Sequence, residues 1–204
     1  MQIAGNSLKG QVRKLKDLAR RYQLDALKDV ILFILITLII HYSYRFWANQ
    51  LHFAPIRDWM VAMREWMSLQ VYEQSLWIVR HLTGIEFTAV DQNTTFYFAN
   101  NGYIAVNQSC SGFKQILQFA LLMMVYPGLW KRKLWYIPAG ILIVHLTNLF
   151  RISGLSVVIV HFPKYWDFSH DYLFRPFFYV VIFAMWVFWV EKIGRPQKEK
   201  EADT

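Results

Sequence analysis

Apolar positions along the chain gather into four long runs with polar, aromatic or basic residues between them. Val30 to Ile40 is apolar apart from Thr37, and Tyr42, Tyr44, Phe46 and Trp47 close the run with residues that favour a membrane–water interface. This predicts a first span over 29–48. A second is predicted over 111–130, a third over 134–162 and a fourth from about 172 to 190, lengths that suit or exceed a hydrocarbon core about 30 Å thick. The third exceeds what a bilayer needs, which predicts tilt, a break near Gly154 or emergence at its far end.

The segments between the runs have other periods. Leu8, Val12, Leu15, Ala19 and Tyr22 recur at three and four residues, with Lys9, Arg13, Lys16 and Arg20 on other faces. Residues 1–28 therefore read as a basic amphipathic helix lying on anionic lipid. Pro55 can open a helix, and Trp59, Met63, Trp66, Val71, Leu76 and Val79 keep helical spacing after it. Arg57, Asp58, Arg64, Glu65, Glu73 and Arg80 interrupt that stretch, so 55–84 reads as one or two amphipathic interfacial helices ending at Gly84. Thr94 to Ala99, then Asn100-Asn101-Gly102, then Tyr103 to Val106 is a hairpin pattern whose Asn-Gly suits a turn with positive φ. The fold class expected is an all-α polytopic membrane protein with about four transmembrane helices, amphipathic interfacial helices and a small outer β-hairpin. The expected organisation is a basic cytoplasmic segment over 1–28, one membrane-embedded domain over 29–192 and a polar cytoplasmic tail over 193–204.

Composition supports the membrane reading and charge orients it. The 204 residues are 55% hydrophobic and 18% aromatic. The net charge of +8 sits beside the apolar runs, which argues against nucleic acid as a partner. The first run follows a long basic segment with no small-residue cleavage site, so it reads as retained rather than as a removed signal. With four spans, residues 1–28, 131–133 and 191–204 share one side and hold fourteen Lys and Arg; residues 48–110 and 161–171, on the other, hold four. The positive-inside rule puts both termini in the cytoplasm and the hairpin toward the outer face of the inner (plasma) membrane.

That orientation brings three residues to one depth. Cys110 is the chain's single cysteine, so no internal disulfide forms. It stands where the second run begins, expected in the first turn of a helix, where unpaired N–H groups and the dipole favour thiolate. Arg151 lies seventeen residues beyond Leu134, about 25 Å along a helix and so near the outer boundary. His170 precedes the last run. A thiol, a guanidinium and an imidazole at one depth suit acyl transfer: Cys110 as nucleophile, His170 as base and acid, Arg151 holding thiolate or oxyanion. Lys114 and Gln118 would share a face with Cys110 if all are helical, and Asn148 and Arg151 share another; these three are candidates for substrate contact or support. A lone cysteine is most often a small buried hydrophobe, and an intramembrane arginine is either functional or structural, so each alone is a weak signal. His145, at mid-depth, reads as a hydrogen-bonding histidine, and His41, His52, His81 and His161 as interfacial. No histidine spacing suggests a metal, and no cofactor is expected.

Cys110-Ser111-Gly112 opening a span, Asn148-x-x-Arg151-Ile152 late in the next and His170 before the last together resemble the exosortase/archaeosortase family. The resemblance covers roughly residues 65–190. It implies a membrane cysteine transpeptidase with Cys110 as nucleophile and Arg151 and His170 completing the triad. It implies substrates that are exported proteins ending in a short motif, a transmembrane helix and a basic cluster, cut near the motif through a thioester and passed to an acceptor. Many members have more spans than the four read here, and Lys114 stands where many have arginine. No further soluble domain is expected. The competing readings are a non-enzymatic assembly or docking protein using the aromatic face of 55–84, and an intramembrane protease with water as acceptor.

Overall fold

A computed structural model of the chain describes residues 24–50 and 54–194. Of the basic helix expected over 1–28 and the tail expected over 193–204, residues 1–23 and 195–204 lie outside these, and residues 24–28 are the first turn of the helix that follows. The chain divides into two compact units, Met1–Arg45 and Phe46–Thr204. The first contributes most of α1 (Leu24–Gln50), which carries the predicted first span as Leu27–Phe46. Leu27, Ile31, Ile34, Leu35, Leu38 and Ile39 are all exposed on it. A helix apolar on every side suits lipid rather than water.

In the second unit α2 (Ala54–Ile78) continues through a π-helical turn, Val79–Thr83, and stops at Gly84 in the left-handed conformation, φ 65°. The charged stretch is thus one helix. Its buried face is Met60, Ser68, Val71, Tyr72, Ser75 and Val79, while Trp59 and Trp66 are exposed. A three-stranded antiparallel sheet follows in the order β1 (Phe87–Val90), β2 (Thr95–Phe98), β3 (Tyr103–Ala105). The hairpin expected from the sequence is β2–β3, and β1 is an addition to it. The register pairs Tyr97 with Tyr103, Phe96 with Ile104 and Thr95 with Ala105. The positive φ in the turn falls on Asn101, 62°. Asn100 Nδ2 donates to the Ile159 carbonyl at 2.8 Å, tying the turn to the next long helix. Tyr72, buried on α2, donates to Asp91 between β1 and β2 at 3.0 Å. Burial and that carboxylate push its phenol up to about 12.

Beyond the sheet, α3 (Phe113–Val125), α4 (Trp130–His161) and α5 (Pro163–Ile193) complete the unit. Among the described residues three helices are long and apolar enough to cross a membrane: the span in α1, α4 and α5. The second expected span, 111–130, is where reading and structure differ. α3 has 13 residues, about 20 Å, short of a hydrocarbon core. Pro127 ends it: proline drives the preceding residue out of the helical region, and Tyr126 is extended, φ −64°, ψ 139°. Gly128 then turns the chain at φ 153°, where a Cβ would also stand 2.6 Å from the Trp189 ring. The third run, by contrast, does not break at Gly154. α4 is continuous for 32 residues with Pro138 inside it, about 48 Å long, so it tilts or emerges. The expected loop 163–171 is helical too, forming the first turns of α5 with a π-helical stretch at Ser169–Phe174.

The core lies between α2, the sheet, α4 and α5, where Tyr72, Phe96, Ile104, Val106, Ile152, Leu155 and Phe174 pack together. That cluster seats β3 over the C-terminal half of α4. At the other end Tyr136 donates to the Met185 carbonyl at 2.6 Å, and Lys133, 3% exposed, donates to the Met124 and Tyr126 carbonyls at 3.0 and 2.6 Å.

Candidate active site

The segment carrying Cys110 is a short wired loop rather than a helix start. After β3 the chain makes a 3₁₀ turn, Gln108–Cys110, in which the Cys110 N–H donates to the Asn107 carbonyl at 2.8 Å. Asn107 Oδ1 accepts from the Ser109 N–H at 3.0 Å and from Ser109 Oγ at 2.5 Å. Ser111 Oγ donates to the Gln108 carbonyl and accepts from the Phe113 N–H. Gln108 Nε2 donates to Glu65 on α2 at 2.8 Å. From α4, Asn148 Nδ2 donates to the Cys110 carbonyl at 2.7 Å. Gly112 separates this loop from α3 at φ 75°, with Asn148 Nδ2 only 3.0 Å from where a Cβ would stand. Both the sign of φ and that proximity require glycine.

Gly112 also corrects an expectation. Cys110 is not in the first helical turn, so it does not share a face with Lys114 and Gln118. The left-handed residue between them breaks the four-residue register. Neither Lys114 nor Gln118 lines the cleft into which Cys110 opens. Gln118 is buried, 2% exposed, and its Nε2 has no partner among the described residues.

The cleft has a volume of about 560 Å³. It is lined by β3, Tyr103 to Ala105, by Arg151 and Ile152 of α4, by Trp166 and His170 of α5, and by Cys110. Residues 110, 151 and 170, drawn from three separate segments, thus line one space. They are not in mutual hydrogen-bond contact. Arg151 Nη2 and His170 Nε2 are 3.2 Å apart, whereas the half-buried thiol has the Ala105 carbonyl and Ser109 Oγ as its polar neighbours, each at 4.0 Å.

The protonation of His170 follows from its neighbours. A guanidinium can only donate, so His170 Nε2 accepts and carries the lone pair. The proton is then on Nδ1, which donates to Asp171 Oδ1 at 2.8 Å. Asp171 in turn forms an ion pair with Arg175, Nη1 lying 3.1 Å from Oδ1. The Trp166 ring stacks on the imidazole, centroids 5.8 Å apart and planes 14° apart. The imidazole is thereby held edge and face, with its lone pair toward the buried guanidinium. Arg151, 8% exposed, keeps a buried Nε with no partner among the described residues. Of the supporting candidates, Asn148 touches this assembly through the Cys110 backbone. Asp171 and Trp166 were not singled out by the sequence; the four-residue spacing of Trp166 from His170 would have allowed it, whereas Asp171, the adjacent residue, carries no such signal. His145 bonds Gln74 at 2.8 Å, away from the cleft. Among the described residues no group of His, Cys, Asp and Glu has a metal-binding arrangement.

The protein-family model described as transmembrane exosortase (Exosortase_EpsH) matches residues 27–192. The chain belongs to that family. The match takes in α1 as well as the region from α2 to α5, a wider extent than the motifs around Cys110, Arg151 and His170 alone suggest. No curated protein and no solved structure matches the chain. With its long apolar helices, this exosortase family member is a multi-pass membrane protein.

Proposed function

We propose that this protein is a membrane cysteine transpeptidase that cuts exported proteins near a C-terminal transmembrane anchor. The observation that carries the proposal is the cleft shared by Cys110, Arg151 and His170. Cys110 Sγ attacks the scissile carbonyl carbon, its proton passing to His170 Nε2. The Arg151–His170 hydrogen bond must open for this, which frees the guanidinium to stabilise the oxyanion. As the tetrahedral species collapses, the C–N bond breaks, the leaving amine takes the proton from His170, and a thioester remains on Cys110. An acceptor nucleophile then attacks the thioester, giving its proton to His170 and regenerating the thiol. Asp171 keeps Nδ1 protonated throughout. Lys114, Gln118 and Asn148 stand outside these steps; Asn148 acts by fixing the Cys110 carbonyl.

The test is co-expression with an exported protein ending in a motif, an apolar helix and a basic cluster. Wild type yields a shortened product whose new C-terminus mass spectrometry identifies. Cys110→Ala yields none; unchanged processing by that variant would sink the proposal. An amine-linked C-terminus marks transfer, and a free carboxylate marks water as acceptor.

A further inference from the structure

β3 is an edge strand. Its hydrogen bonds to β2 run through Gly102, Ile104 and Val106: the Phe98 N–H donates to the Gly102 carbonyl at 2.9 Å and the Val106 N–H to the Thr94 carbonyl at 2.9 Å. In an antiparallel ladder the intervening residues point their N–H and C=O groups the other way. Tyr103 and Ala105 are those residues. Among the described residues no strand pairs with that side of β3, which forms a wall of the cleft. The Ala105 carbonyl, on this free edge, lies 4.0 Å from Cys110 Sγ. The thiol therefore stands beside the track that a fourth strand would follow, in a cleft that Arg151 and His170 also line.

We infer that the cleft takes its substrate as an extended peptide, paired with the free edge of β3 through the backbone groups of Tyr103 and Ala105. An unpaired edge is a ready template for an added strand. A strand added at ladder spacing, about 4.8 Å from β3, brings its backbone alongside the thiol. Two outward residues offer three hydrogen bonds that do not depend on side chains, and a fourth at the Ala105 carbonyl once the thiol leaves it. Selectivity then rests on alternate side chains, one set directed at Arg151, Trp166 and His170. The inference rests on the reading of this cleft as a peptide-cutting site.

The test reads how fast Cys110 is alkylated in the full-length protein in detergent, by intact mass. The probes are acetyl-tetraalanine chloromethyl ketone, a set of its analogues each N-methylated at one alanine, and chloroacetamide as a backbone-free electrophile. In every case Sγ bonds to the methylene carbon and chloride leaves. Rates are taken as the ratio of peptidyl reagent to chloroacetamide on the same protein. N-methylation is expected to lower that ratio about fivefold or more at alternate alanines, the effect of losing one hydrogen bond, and to leave the others within twofold. Tyr103→Pro and Ala105→Pro, which delete outward N–H groups and none that pairs with β2, should lower the ratio for the unmethylated peptide similarly. A ratio insensitive to N-methylation position overturns strand pairing while leaving the nucleophile intact. A thiol that reacts with neither reagent overturns the nucleophile and the docking mode together.

Discussion

Arg151 is a donor at every nitrogen, and that property organises the residues around it. It forces His170 to present a lone pair at Nε2, which leaves Nδ1 to Asp171. Asp171 touches no reacting atom, so it is a positioning residue, held in turn by Arg175. Its function is separable from its charge. Asp171→Asn retains an oxygen that can accept from Nδ1–H, whereas Asp171→Ala has none. We expect Asp171→Ala to lower product formation in the co-expression assay by about tenfold or more, within the range general acid–base catalysis contributes. Asp171→Asn should recover most of that loss. The ¹⁵N shifts of labelled His170 should report the Nδ1–H tautomer in wild type and Asp171→Asn, and a mixture in Asp171→Ala. Equal tautomer populations in all three would remove Asp171 from this role.

At the scale of elements, the broken end of α3 is finished by a side chain from α4. The last carbonyls of a helix lack intrahelical partners, and Lys133 Nζ supplies Met124 and Tyr126 from 3.0 and 2.6 Å. The Lys131–Lys133 cluster, read from sequence as a basic loop on the membrane face, thus divides: Lys131 is exposed and Lys133 is buried. Lys133→Met should cost about 1–3 kcal/mol by leaving buried carbonyls unsatisfied, measured by denaturant unfolding in detergent. Lys131→Met should change stability by less than about 0.5 kcal/mol. Equal effects would mean that Lys133 contributes only surface charge. The same region shows what the sequence made legible. Apolar length located α1, α4 and α5 because the bilayer sets that length. It overran α3 because hydropathy continues through Tyr126-Pro127-Gly128, where backbone conformation, not polarity, ends the helix. β1 was missed although Ile85, Phe87 and Ala89 alternate toward the core, since a four-residue strand carries little periodic signal. Cys110, Arg151 and His170 could be grouped by depth because α4 acts as a ruler. The Gly112 break was hidden, because only the backbone shows that this glycine has positive φ, and with it went the expected face shared with Lys114 and Gln118.

At the scale of the molecule, α4 also separates two chemically different ends. Lys131, Arg132 and Lys133 open it, and Arg151 lies twenty residues beyond Lys131, about 30 Å along the axis. That is the thickness of a hydrocarbon core, so we propose that the basic end and the cleft lie at opposite faces of the bilayer. On the positive-inside rule we expect the basic end to be cytoplasmic. The chain's single cysteine makes the assignment directly measurable. In cells with the inner membrane intact, a membrane-impermeant maleimide is expected to label Cys110 from outside. In the Cys110→Ala background, Lys131→Cys should be labelled only after permeabilisation. The paired reporter matters, because Cys110 alone could stay unlabelled through poor access to a narrow cleft, whereas Lys131 is exposed at its helix end. Labelling of Lys131→Cys from outside would invert the orientation. It would also deny an exported substrate access to the thiol, since the cleft would then open on the side where secretion begins. External labelling at both positions would instead contradict the separation of the ends by α4, and with it the reading of that helix as a span.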